Sequence, residues 1–332
     1  MTSVTMKTFP TPKLEAGTAI IATPQIEDPR PIFDMTAYVL SQLPDMGDQG
    51  FSGYSYVFRQ IPNPLDGGNT TVGGIVFSGV LQNSSPEELR GLWDPIFAHV
   101  KATWPDLFMT LYYEPKSYPS FLGWFSENYD TTSAGENSHV GSRLLDRDAL
   151  TKNLTSLSEA FERFTDGEIS TAYLVSGKGV HNAKPRGCSG NAVLPAWRKA
   201  YIHATMGISF NPLNVTAARD AEARVKKRVA ALTELAPNMG AYMNEVCQQS
   251  PTLHLSCPFV QTGPPRKTIL KHSPPIGQLP RTKLAKGVLG LKLRATVRTH
   301  LPSPPPYSTI IIIFVNSPAW AQGLDQAGGG PR

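Results

Sequence analysis

Residues 53–82 run GYSYVFRQIPNPLDGGNTTVGGIVFSGVLQ. Gly53–Gln60 and Thr71–Gln82 are dense in aromatic and β-branched side chains, which suit a pleated, half-buried surface, and PNPLDGGN between them is turn chemistry. The pattern predicts two adjacent antiparallel strands. Working outward, GTAIIAT (Gly17–Thr23) is a short β-branched run bounded by Gly and Pro and reads as a further strand, and Phe33–Leu43 reads as a helix. Downstream, Ser85-Pro86-Glu87-Glu88 offers an N-cap, a proline in the first turn and acids facing the helix dipole. Leu89, Leu92, Trp93, Ile96 and Phe97 then recur at helical spacing, predicting a helix that ends near Thr103.

The continuous apolar run Leu107–Tyr113 predicts a buried strand, followed by an aromatic loop from Tyr118 through Trp124 to Tyr129. Asp146–Phe164 predicts one helix, with Leu150, Leu154, Leu157 and Phe161 on a single face. Ile169–Ser176 and Trp197–Phe210 read as strands, and Ala217–Leu235 as a long amphipathic helix with Lys226, Lys227 and Arg228 on its wet side. The expected fold class is therefore α+β, a largely antiparallel sheet backed by helices. After Pro251 periodicity gives way to Pro-Pro pairs and scattered Lys and Arg, so residues 252–332 read as disordered.

Composition narrows the function classes. The chain has 332 residues, 40% hydrophobic and 17% charged, ordinary for a globular protein, and its 30 prolines and 28 glycines argue against a helical bundle. Its formal charge of +5 is misleading, because ten Lys and Arg against one Asp follow Thr252, which leaves −4 on the rest. No basic footprint for nucleic acid lies in the folded part, so none is expected as a partner. Residues 1–12, MTSVTMKTFPTP, contain no long apolar run and read as neither signal peptide nor membrane anchor. Cys188, Cys247 and Cys257 form no metal-ligand spacing, and no metal is expected. The tripeptide sequons at Asn69, Asn83, Asn153 and Asn214 are compatible with a secretory route and leave the compartment open.

Generic catalytic signatures are missing: no G-x-S-x-G elbow, no Walker A loop, no H-E-x-x-H, and no G-x-G-x-x-G opening a helix. Four longer strings are informative: MTSVTMKTFPTP at the start, GSRLLDRDAL from Gly141, LPAWRKAYIH from Leu194 and LAPNMGAYMNE from Leu235. In this order and spacing the chain resembles fungal FAD-linked oxidoreductases similar to berberine bridge enzyme, over about residues 1–250. The resemblance implies the substrate domain of a vanillyl-alcohol-oxidase-like flavoprotein, a broad antiparallel sheet lying over a flavin ring. It divides the chain into residues 1–16, the end of an FAD-binding domain; 17–251, the substrate-binding domain; and 252–332, read as a non-native frame. In the family the flavin domain precedes the opening strand, and a Trp-containing turn, strand and helix follow Asn244-Glu245. Here CQQSPTLHLSCPFVQTG follows from Cys247 instead. Those departures leave the FAD-binding residues unassigned.

The resemblance further implies that Gly240–Glu245 runs along the sheet toward the substrate, with Glu245 or Tyr242 as the base that takes a substrate proton. Other members place a tyrosine where Glu245 stands. Asn244, Tyr113 and Arg143 are the implied substrate contacts, and Trp197 with Arg198 would brace the sheet. The implied activity is oxidation of a small secondary metabolite (polyketide, alkaloid or peptide hybrid) by hydride transfer to FAD, with molecular oxygen as reoxidant. The alternatives are a half-enzyme needing a separate flavin domain, or a non-catalytic binding or scaffolding module. A small-molecule substrate is the expected partner; a membrane is not.

Overall fold

A computed structural model describes residues 10–24, 27–63, 66–105, 110–129, 137–184 and 193–245. The expected disordered tail, the three cysteines and the 1–9 segment lie outside them. Seven strands form one antiparallel sheet: β1 (Leu14–Pro24), β2 (Ser52–Pro62), β3 (Thr71–Gln82), β4 (Thr110–Tyr118), β5 (Ser138–Asp146), β6 (Ile169–Leu174) and β7 (Ala200–Ser209). Their spatial order is β4-β1-β3-β2-β6-β7-β5. The expected hairpin is the β2–β3 pair, with Tyr54 opposite Ser78 and Tyr56 opposite Val76. In its turn the Asp66 carboxylate accepts from the amides of Gly68, Asn69 and Thr70, and the Thr70 hydroxyl holds it below the usual carboxylate range. Gly67 and Gly68 take the left-handed backbone that glycine adopts without strain.

The helices are α1 (Arg30–Asp48), α2 (Pro86–Thr103), α3 (Phe121–Asn128), α4 (Arg147–Thr151), α5 (Leu154–Thr165), α6 (Lys178–His181) and α7 (Val215–Leu235). Ser85 closes α2 with a capping box, accepting from the Glu88 amide while the Glu88 carboxylate accepts from the Ser85 amide. Helices α1, α2, α5 and α7 cover one face of the sheet. Ala19, Ile21, Val57, Ile75, Phe77, Ala172, Ile202 and Ala204 point into that core, against Phe33, Leu40, Trp93, Phe161 and Val225. Each large side chain so enclosed contributes on the order of 1.5–3 kcal/mol by leaving water. The alternate residues, Ile20, Ala22, Tyr54, Tyr56, Phe58, Val72 and Val76, make a smaller cluster on the opposite face, as the period of two requires.

Several expectations are corrected. The aromatic loop is in part a helix: Ser120 caps α3, and Phe121 and Trp124 at i and i+3 lean on Leu14, Ala16 and Tyr118 at the β4–β1 end of the second face, while Phe125 stacks on Phe121 and Tyr129. The single helix expected over Asp146–Phe164 is two, because Asp146 and Asn153 each cap their own start. Trp197 belongs to a short 3-10 turn, Pro195–Arg198, and the strand begins at Ala200. β5 was not expected, since Gly141, Ser142 and Arg143 interrupt its apolar run. Arg228 is not on the wet side: it is buried, donating to the Asp166 backbone carbonyl and facing its carboxylate at 3.4 Å. The boundary drawn after residue 16 falls inside β1, where Leu14–Ala16 already pair with Gln82–Val80. Residues 107–109, the start of the expected fourth strand, lie outside the described residues.

Candidate active site

The two faces differ in chemistry as well as in covering. On edge strand β5, a Cβ added at Gly141 would meet Val229 at 2.5 Å and Val225 at 2.7 Å, so α7 sits directly on this strand and only glycine permits that approach. Arg143 and Leu145 share that helix-covered side by alternation; Ser142 and Leu144 turn to the other. Through the register, Leu144 pairs with His203, Ser142 with Thr205, Tyr173 with His203 and Thr171 with Thr205. A histidine and two threonines therefore stand beside Tyr173 and Tyr54 on the face that lacks the long helices.

The chain leaving α7 returns along this edge. Arg143 fixes the turn: its Nη2 donates to the Ala236 carbonyl at 2.6 Å and the Pro237 carbonyl at 3.1 Å, and its Nε to the Ala236 carbonyl at 3.2 Å. These oxygens belong to the negative end of the α7 dipole, which favours a cation there. Burial pushes the guanidinium below its ordinary value, yet arginine stays charged in proteins. The Leu144 amide then donates to the Gly240 carbonyl at 2.8 Å, and the Tyr242 amide to Ser142 Oγ at 3.2 Å. At Gly240 the Leu194 side chain packs directly over the backbone, where a Cβ would lie 2.5 Å from its terminal methyl. A 3-10 turn, Met243–Glu245, closed by the Glu245 amide on the Tyr242 carbonyl at 2.9 Å, delivers Glu245.

Glu245 meets His203 there. Oε2 of the carboxylate lies 2.9 Å from Nε2 of the imidazole, with His203 1% exposed and the Glu245 side chain 24% exposed. The contact is off the line of an ideal hydrogen bond, so both atoms, and His203 Nδ1, are buried without a satisfied bond among the described residues. Three aromatic rings enclose the imidazole: Trp197 at 5.2 Å, Tyr242 at 6.1 Å and Tyr173 at 6.1 Å between centroids. Farther along the same face Tyr54 is buried, its hydroxyl without a partner among the described residues and its ionisation pushed up to about 12 by that burial. A carboxylate with one oxygen against a histidine, partly open and walled by aromatic rings, can accept a proton from a bound molecule.

The structure brings Tyr242 and Glu245 together, and places the Asn244 backbone between them, its side chain lying outside the described atoms. It does not bring Tyr113 or Arg143 to that group. Tyr113 faces the helices, with its ring 6.5 Å from Phe97 and its phenol pushed up to about 12 by burial. Arg143 is occupied by the α7 carbonyls. Trp197, expected to brace the sheet, is one wall of the histidine enclosure, its ring 5.2 Å from that of His203. The residue missed in the sequence is His203, although the alternation of His203 and Thr205 with Ile202, Ala204 and Met206 in IHATM would have put it on the face opposite the helices.

The starts of α2, α3, α4, α5 and α7 are each closed by a capping side chain, from Ser85, Ser120, Asp146, Asn153 and Asn214. At α6 the Gly177 position is pressed against the Gly47 backbone. α1 has no capping side chain at Pro29, but its first amides are taken up locally, Arg30 by the Asp28 carboxylate and Ile32 and Phe33 by the Pro29 carbonyl. None of these helix starts offers open amides to a pyrophosphate. The tyrosine-lined face does suit a planar ring system. The described residues fit a cover for a flavin ring rather than a cradle for its phosphates. They include no group of three or more His, Cys, Asp or Glu placed for a metal ion, and no helix long and apolar enough to cross a membrane.

Comparison with known proteins places these features. No family model matches the chain. It is 26% identical over 250 residues to the FAD-linked oxidoreductase apf9 of Gibberella fujikuroi, covering 74% of this chain and 42% of that protein. To the FAD-linked oxidoreductase patO of Aspergillus clavatus it is 29% identical over 210 residues, covering 60% of this chain and 36% of that protein. Among solved structures, a VAO-type flavoprotein from Myceliophthora thermophila superposes with a TM-score of 0.60 at 21% identity, over 71% of this chain and 41% of that one, and so shares the fold. The chain spans less than half the length of the curated relatives it matches.

Proposed function

We propose, for a chain that is a segment of the fungal FAD-linked oxidoreductase type with the VAO-type flavoprotein fold, that it supplies the substrate-side wall and the proton acceptor of a flavin-dependent oxidation. The observation that carries this is the placement of Glu245, Tyr242 and His203 at the end of the tyrosine-lined face, opposite the helices. FAD, when bound, supplies a two-electron acceptor that takes a hydride from substrate and passes both electrons to molecular oxygen. Glu245 takes the proton released with that hydride, and Tyr242 and Trp197 keep water from the carboxylate's inner side. The aromatic floor of Tyr54, Tyr56 and Tyr173 orients a small, flat secondary metabolite, such as a polyketide, alkaloid or peptide hybrid. The phosphates of FAD are held by residues beyond those described, in a further domain of the same protein or in a separate one.

The test is to sequence the full-length transcript, produce the protein it encodes, and measure bound flavin and hydrogen peroxide release on a panel of such compounds. The expected result is a yellow protein that turns over one or more of them, with Glu245→Gln slowed by about 10²–10⁴-fold, the usual worth of a general base. A folded protein that stays colourless with FAD and with a separately supplied flavin domain would overturn the reading in favour of a non-catalytic binding module.

A further inference from the structure

The Glu245–His203 contact has a direction. Both ring nitrogens of His203 are buried, and Nδ1 has no hydrogen-bond partner among the described residues. A neutral imidazole carries one N–H. On Nδ1 that hydrogen would be a stranded buried donor with no acceptor at hand, at a cost of roughly 1–3 kcal/mol; on Nε2 it has a carboxylate oxygen 2.9 Å away, off the line of the N–H but within reach of a small rotation of the carboxylate. The accessible part of the Glu245 side chain excludes Oε2, whose surface is closed. Trp197, Tyr242 and Tyr173 hold the imidazole from three sides, and its own strand lies between β6 and β5, so the ring cannot swing to another partner. Glu245, in contrast, sits on a three-residue turn held by one backbone bond and has no other ion pair among the described residues.

We propose that His203 is the positioning residue of this site: as the Nε2–H tautomer it donates to Oε2 of Glu245, fixes the rotation of the carboxylate, and leaves Oε1 as the oxygen that receives the substrate's proton. The rigid partner is the histidine, set by the sheet register; the mobile one is the carboxylate it aims. The contact is bent, and catalytic hydrogen bonds commonly become aligned only in the substrate complex. This rests on Glu245 being the base, but the geometry is a property of the chain without flavin and is tested there.

The experiment is ¹⁵N NMR of the histidine rings in the 332-residue chain, with the His203 signals identified by their loss in His203→Gln. The expected wild-type pattern is a protonated Nε2 beside a bare Nδ1. Replacing the carboxylate, Glu245→Leu, is expected to abolish that pattern, the two ring nitrogens moving toward a common averaged position. A wild-type ring protonated on Nδ1, or a pattern unchanged in a folded Glu245→Leu chain, overturns the proposal, and the wild-type spectrum decides alone if that variant does not fold. Flavin binding and peroxide release do not enter this measurement, so failure of the oxidase reading and failure of the histidine's role are separately visible.

Discussion

Replacing Arg143 by methionine isolates what holds the site segment against the sheet. Methionine keeps most of the buried stem volume and removes the three donations to the Ala236 and Pro237 carbonyls. Hydrogen bonds to a charged group are each worth about 1.5–3 kcal/mol, but these share one guanidinium and are not additive. Removing the buried cation also relieves its own desolvation, which offsets part of the loss. The expected net destabilisation is about 2 kcal/mol, or about 4–8 °C in melting temperature for a domain of this size. The effect should concentrate where the segment docks: the Leu144 amide, bonded to the Gly240 carbonyl, and the Tyr242 amide, bonded to Ser142, should lose protection from hydrogen exchange before the β1–β3 amides do. Thermal melting and amide-resolved exchange are the assays. A melting temperature within about 1 °C of wild type, with Leu144 protection unchanged, would refute the clamp, because a loss of about 2 kcal/mol cannot be hidden in so small a shift.

Two further outcomes are expected. Gly141→Ala places a methyl 2.5 Å from Val229 and 2.7 Å from Val225, and should cost about 1–3 kcal/mol by overpacking; Val229→Ala added to it should recover part of that cost, read as non-additivity in chemical denaturation. Tyr54 and Tyr113 have phenols pushed up by burial to about 12, above the value of about 10 for a solvated tyrosine. A folded value above the unfolded one means their stabilising contribution is full below pH about 10 and is lost as pH rises to about 12. The denaturation midpoint should fall across that window, and the Tyr54→Phe, Tyr113→Phe double variant should fall less steeply; equal slopes would show that neither phenol is sheltered.

Much of this architecture could be read from local chemistry. Ser85 and Glu88 announce α2, the PNPLDGGN turn pairs β2 with β3, and strict alternation or helical spacing marks most other elements, because in each case neighbours within a few residues determine the outcome. β5 escaped because Gly141, Ser142 and Arg143 look polar in sequence, yet each answers a distant demand: room for α7, an amide from Tyr242, and the carbonyls at Ala236 and Pro237. Arg228 misled for the same reason, since its partner Asp166 is far along the chain.

The candidate site divides along the same line. Tyr242 and Glu245, named through a family-like string, lie together beside His203, whereas Tyr113 and Arg143, drawn from the same source, face the helices. The amino-acid sequence by itself determined the α+β class, the hairpin, the capped helices and the stretch that carries the carboxylate, since periodicity and capping act over one or two turns. Only the tertiary structure decided which face each side chain takes and that His203 meets Glu245: that contact joins a strand to a segment some forty residues later through the register of β5 with β7 and the docking of the α7 terminus, neither of which any local pattern encodes.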